Sequence, residues 1–340
     1  MKRICILGAG SWGTALSIAL ASRFDEVRLW ARDAGQAERL DKQRENTRYL
    51  PGFGLPDVVR VSHDLEKSLA NVDLVLSVVP SRYLREVTTH ATKFMPAHAP
   101  ILSATKGIEE DSLQRMSQVI GTMIVGTTIV GATVTAKNPV AVLSGPTFAR
   151  EIAAGEPAAM VIAADDMAIA ETTQRALSTP TLRFYTSQDV VGVEIGGALK
   201  NVIALGAGVC AGLGLGSNSV AALVTRGLAE ITRLAVVLGG KERTLSGLAG
   251  LGDLVLTATG TLSRNRAVGM QLGQGRKLPE ILAQTTMVAE GVSTCRAGFQ
   301  LGLRHGVELP IIHKMYEVLY EHKDPRLGIR ELMDRPLTSE

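Results

Sequence analysis

A lysine, a carboxylate and a polar helix terminus interrupt the apolar second half of this chain. Lys200 lies among glycine, alanine, leucine and valine residues, where burying a cation is costly. A buried lysine with a lowered pKa can donate a proton to a carbonyl group that is being reduced. Asp253, in the glycine-rich run 247–254, can orient that lysine, bind a substrate hydroxyl or cap a helix. These residue types predict general acid chemistry on a small substrate.

The segment Ser263-Arg264-Asn265-Arg266 predicts an anion site. Ser263 is predicted to be an N-cap, with a guanidinium and an amide in the first helical turn. An arginine there is unfavourable against the helix macrodipole unless an anion is bound. Backbone N–H groups, the serine hydroxyl, the Asn265 amide and the Arg264 guanidinium together favour a phosphate.

Three glycines near the N-terminus predict a dinucleotide site. The apolar run 4–7 ends in Gly8-x-Gly10-x-x-Gly13, and a helical pattern follows from Thr14. Gly8 permits a tight turn, Gly10 lets a pyrophosphate approach the backbone, and Gly13 lets the helix pack on the strand. Because the motif stands between a predicted strand and a predicted helix, it favours dinucleotide binding over a purely structural turn.

The end of the second predicted strand bears on the choice of cofactor. An NAD-preferring site usually places Asp or Glu there to bind the ribose 2′-hydroxyl. Here Arg32 stands near the strand end, and Asp33 is one position late. Since Arg32 can pair with a 2′-phosphate, the sequence favours NADPH and leaves NADH open.

Other chemically useful residues follow later predicted strands. Lys106 follows one strand directly, and Gly145 and Thr147 occupy the turn after another. Open α/β sheets bind ligands beyond the carboxyl ends of their strands, so we expect Lys106 to lie beside the cofactor crevice. Glu290 stands among apolar and small residues, where it could reach a ribose or the nicotinamide amide, or cap a turn.

The elements that must position these residues fall into two groups. Strand and helix signals alternate up to Ser187, whereas long helical patterns rich in Ala, Leu and Gly follow from Asp189. We therefore predict an α/β fold with an N-terminal Rossmann-type doubly wound sheet in residues 1–187 and a C-terminal all-α domain in residues 188–340. The stretch 121–136, almost free of charge, is a hairpin or a loop insertion without an assigned role.

Composition argues against several other classes. A formal net charge of +3 over 340 residues gives no case for a nucleic-acid partner. The apolar run from Val202 to Leu215 is too short to span a bilayer and predicts a buried core helix, so we expect no stable membrane insertion. Cys5, Cys210 and Cys295 lack metal-ligand spacing, and their odd number argues against a disulfide framework. We expect no metal and, from the reduced thiols, a cytoplasmic location.

In this order the motifs resemble the bacterial type of NAD(P)-dependent glycerol-3-phosphate dehydrogenase. The resemblance implies the interconversion of dihydroxyacetone phosphate and sn-glycerol 3-phosphate with NAD(H) or NADP(H), which feeds glycerophospholipid synthesis. The matching segments are Gly8–Leu16, Tyr49–Gly52, Ala104–Gly107, Leu143–Ala149, Gly197–Asn201, Gly250–Leu254, Ser263–Arg266 and Val288–Gly291.

The resemblance also implies roles for single residues. Lys200 is the implied proton donor and acceptor. Residues 257–260 lack the cysteine of the family pattern, but we expect neither them nor the stretch 121–136 to touch a catalytic position. The implied substrate contacts are Lys106, Gly145, Thr147, Lys200, Asp253, Ser263, Arg264 and Asn265. The implied cofactor contacts, besides the three glycines, are Ser11, Trp12, Arg32, Tyr49, Lys106, Ala149, Arg264, Val288 and Glu290.

Two other functions stay open at this point. A β-hydroxyacid dehydrogenase has the same two-part design and a lysine in its second domain, but it needs a carboxylate site in place of the phosphate site. A non-catalytic NADPH-sensing protein needs neither Lys200 nor Asp253. The helices rich in Ala and Gly could pack against a second subunit, so we expect a homodimer.

Overall fold

The computed structural model describes residues 1–97, 99–125, 138–284 and 289–337. The strands are β1 (Arg3–Leu7), β2 (Glu26–Trp30), β3 (Glu45–Asn46), β4 (Leu50–Gly54), β5 (Val59–Ser62), β6 (Leu74–Ser77), β7 (Ile101–Ser103), β8 (Val140–Ser144), β9 (Ala158–Ala163) and β10 (Leu182–Ser187). The helices between them are α1 (Ser11–Ala19), α2 (Ala34–Gln43), α3 (Leu65–Leu69), α4 (Ser81–Ala91), α5 (Met116–Val125), α6 (Ala149–Ala153) and α7 (Met167–Leu177).

After the last strand, the described residues form helices and no further strand. These helices are α8 (Val190–Gly212), α9 (Ser217–Val237), α10 (Glu242–Leu245), α11 (Asp253–Thr259), α12 (Arg264–Gly273), α13 (Leu278–Ala283), α14 (Glu290–His305), α15 (Pro310–Tyr320) and α16 (Pro325–Met333). One π-helical turn, Leu248–Gly252, leads directly into α11.

The large sheet has the strand order β10-β9-β8-β7-β6-β1-β2-β5. Its neighbouring strands are parallel except for β8 and β9, which pair antiparallel. The order reverses beside β1, which lies between β2 and β6. In an open sheet this reversal creates a crevice at the carboxyl ends of the strands, where ligands bind. The predicted Rossmann-type doubly wound sheet is confirmed.

Side-chain alternation along β1 assigns its residues to two cores. Ile4 and Ile6 join one buried apolar cluster, whereas Cys5 and Leu7 join another. Helices cover both faces of the sheet, so both faces are apolar and the strand is a nearly continuous hydrophobic run.

Helix α8 is the centre of the helical part. It has 23 residues, and those from Gly192 to Cys210 are all buried. Among the described helices, only α8 is long and apolar enough to cross a membrane, and 94% of its apolar window is buried inside the protein. Most of the apolar run 202–215 lies in the second half of α8, and the charged residues Glu194 and Lys200 lie in its first half. The expected core helix is confirmed.

Glycines bring α8 and α12 into backbone contact. A Cβ atom on Gly208 would lie 2.1 Å from the carbonyl oxygen of Arg266, and one on Gly269 would lie 2.0 Å from that of Leu205. Atoms cannot approach so closely, so both positions require glycine at this helix spacing. The close crossing brings the N-terminus of α12 near the middle of α8.

Candidate active site

The glycine turn after β1 fits a dinucleotide. Gly8 has φ +118, and a Cβ atom on Gly13 would lie 1.9 Å from the Gly8 carbonyl oxygen. Packing thus accounts for two of the glycines. At Gly10 nothing lies within 4 Å of an added Cβ atom, so its exposed backbone leaves room for a pyrophosphate. Helix α1 begins at Ser11 and not at Thr14 as predicted, because the second half of the motif already forms the first helical turn.

Side chains other than the glycines of the motif form hydrogen bonds that stabilise this turn. The Ala9 carbonyl oxygen accepts hydrogen bonds from Asn46 Nδ2 at 3.1 Å and from Gln36 Nε2 at 2.7 Å. Ser11 Oγ donates to the Tyr49 carbonyl oxygen at 2.6 Å. Tyr49 therefore reaches the turn through its backbone. A buried Asn after a helix gives no distinctive sequence signal, which is why Asn46 was overlooked.

Arg32 lies two residues after the end of β2. Its side chain is exposed, and its guanidinium carbon lies 4.6 Å from the centre of the Tyr83 ring. Asp33 Oδ1 instead accepts the backbone N–H of Gln36 at 2.6 Å and so caps α2. Trp12 and Ala149 are half-buried against the same core cluster, at the first turns of α1 and α6.

One carboxylate joins two lysines where the sheet meets the helical part. Asp253 is fully buried and accepts a hydrogen bond from Lys200 Nζ on one oxygen. Its other oxygen lies 2.5 Å from Lys106 Nζ, which also donates to the Gly145 carbonyl oxygen at 3.1 Å. Three segments far apart in sequence thus converge on a single buried charge, and the structure brings the predicted acid–base residues together.

The surroundings of Lys200 shift its acidity strongly. Burial is the main cause, and it lowers the pKa of Lys200 from 10.5 to about 7. The Asp253 carboxylate acts in the opposite direction, whereas the positive charge of Lys106 lowers the pKa of Lys200 further. An ammonium group with this pKa can release a proton near neutral pH.

The turn after β8 requires an unusual backbone. Gly145 has φ +145, and a Cβ atom there would lie 2.9 Å from Met160 Cα. Thr147 Oγ1 donates to the Gly145 carbonyl oxygen at 3.3 Å. Because Lys106 donates to the same oxygen, this turn lies directly beside the lysine–carboxylate cluster.

The N-terminus of α12 contacts α8 at Asn201, one residue after Lys200. Ser263 Oγ accepts the backbone N–H of Arg266 at 3.2 Å, as expected of an N-cap. Asn265 is buried; its Nδ2 donates to Asn201 Oδ1 at 2.9 Å, and its Oδ1 accepts the Gly291 N–H at 3.0 Å. The Asn265 amide therefore connects three helices through protein partners.

Arg264 provides a guanidinium group at this terminus. Its side chain is exposed, and within the described part of the chain it forms no hydrogen bond or ion pair. Loss of hydration inside the crevice lowers the pKa of Arg264, and the Glu290 carboxylate opposes that shift. A guanidinium without a partner at a helix N-terminus suits a bound anion.

Glu290, the first residue of α14, connects the helical part with the sheet at the site. Its carboxylate accepts hydrogen bonds from the backbone N–H of Ser81, at 3.2 Å, and from the Ser81 hydroxyl. Burial raises the pKa of Glu290, and the bonds from Ser81 act against that rise. Glu290 thus contacts the start of α4. Val288 lies outside the described residues.

Comparison with known proteins identifies the family. Models of the NAD-dependent glycerol-3-phosphate dehydrogenase N-terminus and C-terminus match residues 3–170 and 189–330. A glycerol-3-phosphate dehydrogenase (NAD(P)+) of Koribacter versatilis is 48% identical over 100% of this chain and 99% of its own length. One from Myxococcus xanthus is 48% identical over 98% of both chains. The chain belongs to the NAD-dependent glycerol-3-phosphate dehydrogenase family.

A solved family structure has the same architecture. The crystal structure of glycerol-3-phosphate dehydrogenase from Coxiella burnetii superimposes with a TM-score of 0.91 at 38% identity, covering 98% of this chain and 99% of that one. The resemblance inferred from the motifs is therefore confirmed along the whole chain.

Thr257 corrects one expectation. Residues 257–260, which differ from the family pattern, were expected to lie away from the catalytic positions. Instead Lys200 Nζ donates to Thr257 Oγ1 at 2.8 Å, and that hydroxyl donates to the Asp253 carbonyl oxygen at 2.6 Å. Positions 253 and 257 are one helical turn apart on α11, so both face Lys200. That spacing was the signal in the sequence.

The site holds no cluster of metal ligands. Within the ranges that the structure describes, no three His, Cys, Asp or Glu side chains are grouped so that they could hold a metal ion. The ammonium, hydroxyl and guanidinium groups around Asp253 and Arg264 are instead suited to proton transfer and anion binding.

Proposed function

We propose that this chain reduces dihydroxyacetone phosphate to sn-glycerol 3-phosphate with NAD(P)H, and so supplies glycerophospholipid synthesis. The carrying observation is the buried Asp253 carboxylate shared by Lys106 and Lys200. It lies at the carboxyl end of a dinucleotide-binding sheet, in a chain of the glycerol-3-phosphate dehydrogenase family. Family membership favours this activity over a hydroxyacid dehydrogenase or a non-catalytic sensor.

Lys200 is the proposed proton donor. The nicotinamide, when bound, supplies the hydride for the substrate carbonyl carbon. Lys200 gives one proton to the carbonyl oxygen, which becomes the hydroxyl of the product, and the neutral amine then regains a proton from water. Its pKa of about 7 suits this role, because both protonation states are accessible at neutral pH. Asp253 and Thr257 hold the amino group in position.

Lys106 and the α12 terminus are proposed to bind the substrate. Dihydroxyacetone phosphate is an anion, and both places present cations that attract it. Arg264, Ser263 and the free N–H groups of α12 are proposed to hold its phosphate, as Arg264 has no partner among the described residues. Lys106 and Thr147 are proposed to contact the other end of the substrate. Gly145 and Asn265 complete the proposed substrate site.

The cofactor is proposed to lie over the glycine turn. Gly10 supports this, since its backbone is open where its neighbours Gly8 and Gly13 are closely packed. We place the domain boundary after residue 187, which is supported by the end of β10 at Ser187. The proposed cofactor residues are Gly8, Gly10, Ser11, Trp12, Gly13, Arg32, Tyr49, Lys106, Ala149, Arg264, Val288 and Glu290.

A cytoplasmic homodimer is proposed as the working state. Cys5, Cys210 and Cys295 are free thiols, which supports a reducing compartment. The helical part exposes apolar side chains such as Val237 and Leu303, which supports a second subunit there.

Loss of nicotinamide absorbance tests the proposed reaction. We expect rapid oxidation of NADPH or NADH with dihydroxyacetone phosphate and almost none with unphosphorylated dihydroxyacetone. Absence of oxidation by a protein that binds the cofactor would contradict the assignment.

Arg264→Ala tests the phosphate site. Losing a charge-assisted hydrogen bond should raise the KM for dihydroxyacetone phosphate by about tenfold to 100-fold, with a smaller change in kcat. Arg304→Ala, at the exposed end of α14, is the matched control and should change neither constant. A KM in Arg264→Ala equal to that of the control would remove Arg264 from substrate binding.

A further inference from the structure

Two arginines from different elements converge on one tyrosine ring. The guanidinium carbon of Arg32, after β2, lies 4.6 Å from the centre of the Tyr83 ring. That of Arg82, in the first turn of α4, lies 4.5 Å from the same point. Cation–π contacts of this kind hold guanidinium groups over a ring and fix their direction. The two guanidinium carbons therefore lie no more than about 9 Å apart.

No carboxylate among the described residues forms a salt bridge with this pair, and the charge of Arg82 acts on the Glu290 carboxylate only at longer range. In the described ranges neither Arg32 nor Arg82 forms an ion pair or a hydrogen bond. The nearest acid in sequence, Asp33, caps α2 and lies 3.9 Å from Arg39. Both guanidinium groups are exposed, so they can accept an anion from the crevice. Like charges repel, and a doubly charged anion between them would relieve that repulsion.

The arginine pair borders the glycine turn on both of its flanks. Gly8 donates its N–H to the Trp30 carbonyl oxygen at 3.0 Å, two residues before Arg32. On the other side, a Cβ atom on Gly8 would lie 3.2 Å from the Val78 carbonyl oxygen, four residues before Arg82. In a dinucleotide-binding sheet, the end of β2 is where the 2′ position of the adenosine ribose lies.

We propose that Arg82, together with Arg32, binds the adenosine 2′-phosphate and makes this chain prefer NADPH to NADH. The inference rests on the proposed cofactor site and adds a second, specificity-determining cation to Arg32. A phosphate dianion accepts hydrogen bonds from two guanidinium groups at once, whereas the ribose hydroxyl of NADH offers no charge. Tyr83 positions both side chains.

The test measures cofactor binding without substrate. Quenching of protein fluorescence gives the Kd of NADPH and of NADH for the wild type, Arg82→Gln and Arg82→Lys. We expect Arg82→Gln to reduce the ratio of the NADH Kd to the NADPH Kd by about tenfold or more, and Arg82→Lys to reduce it less. Adenosine 2′,5′-bisphosphate should displace NADPH better than adenosine 5′-phosphate does, and Arg82→Gln should narrow that difference.

Arg183→Gln is the matched control. Arg183 is likewise exposed and lies 5.3 Å from the Tyr185 ring centre, but on β10 at the far edge of the sheet. The Arg183→Gln variant should leave the ratio of the NADH Kd to the NADPH Kd unchanged. An Arg82→Gln variant that keeps the wild-type ratio, or that weakens both cofactors equally, would overturn the inference.

The same experiment separates this inference from the proposed function. A wild type that binds NADPH tightly and does not turn over dihydroxyacetone phosphate contradicts the reaction, while the Kd ratio still decides the role of Arg82. A wild type that binds neither nucleotide contradicts both.

Discussion

The acidity of Lys200 depends on two charges of opposite effect. Asp253 raises the pKa of Lys200, whereas Lys106 lowers it, and burial acts with Lys106. Lys106 and Lys200 both contact the Asp253 carboxylate, so either Asp253 or Lys106 can be substituted while Lys200 is kept. The site therefore allows a test of the sign of each contribution.

We expect the pH profile of dihydroxyacetone phosphate reduction to move in opposite directions in two variants. As the proposed proton donor, Lys200 must be in its ammonium form for reduction, so kcat should fall as pH rises through its pKa. Lys106→Met removes a repelling cation and should move this fall to higher pH. Asp253→Asn removes the attracting carboxylate and should move it to lower pH. The check is kcat against pH from 5 to about 10 for the three proteins; shifts of the same sign would contradict the account.

At the scale of single residues, the sequence shows which side chains could do chemistry more readily than it shows which residues contact one another in the fold. Lys200 and Asp253 stand out in the sequence because burying a charge among small apolar residues costs free energy, so such a residue is expected to have a function. The hydrogen bonds of Asn265 to α8 and α14 depend on helices that meet only in the folded chain. The sequence therefore predicts Asn265 as a substrate contact but does not reveal that its amide also connects α12 with α8 and α14.

At the scale of elements, the spacing of α8 and α12 determines where the phosphate site lies relative to Lys200. Gly208 faces the carbonyl of Arg266, and the Arg264 guanidinium belongs to the same first turn of α12. A larger residue at 208 must push the two helices apart. The proton donor and the proposed phosphate site would then separate.

Gly208→Ala should lower the free energy of unfolding by at least about 2 kcal/mol, since overpacking outweighs the better helix propensity of alanine. The matched control is Gly121→Ala, inside α5, where nothing lies within 4 Å of an added Cβ atom. That change should raise stability by about 0.5–1 kcal/mol. Urea unfolding followed by circular dichroism gives both values, and a neutral or stabilising Gly208→Ala would refute the close helix contact.

Sequence patterns predicted the parallel strands well because both faces of the sheet are buried. Sequence patterns are less informative where local residue preferences and the tertiary structure disagree. Pro51 and Gly52 favour a turn, yet Leu50–Gly54 forms a strand that pairs with β3. The antiparallel direction of β9 also leaves no mark in its residues, since it depends on how the preceding connection crosses the sheet.

At the scale of the whole molecule, polar contacts hold the sheet to the helical part. Glu194 of α8 is buried and accepts hydrogen bonds from Arg115 and from the backbone and hydroxyl of Ser117. Arg115 belongs to the segment that follows Lys106, and Glu194 precedes Lys200 on α8. This ion pair therefore fixes the relative position of the two lysines.

Breaking this pair on one side should be costly. Arg115→Met leaves the Glu194 carboxylate buried with only Ser117 as partner, and should lower the free energy of unfolding by about 3–5 kcal/mol. Combining it with Glu194→Met should recover part of that loss, because the uncompensated charge is gone. Chemical unfolding of the single and double variants measures the coupling; strictly additive losses would show that the pair is not a unit.

The turnover of Lys200→Ala decides whether Lys200 is the proton donor. Nicotinamide absorbance with saturating dihydroxyacetone phosphate gives the rate, and protein fluorescence shows whether NADPH still binds. The account predicts that NADPH binding is kept while kcat falls by roughly 10²–10⁴-fold, the usual contribution of a positioned general acid. A variant that binds NADPH and turns over at a rate near the wild type would remove Lys200 from the mechanism.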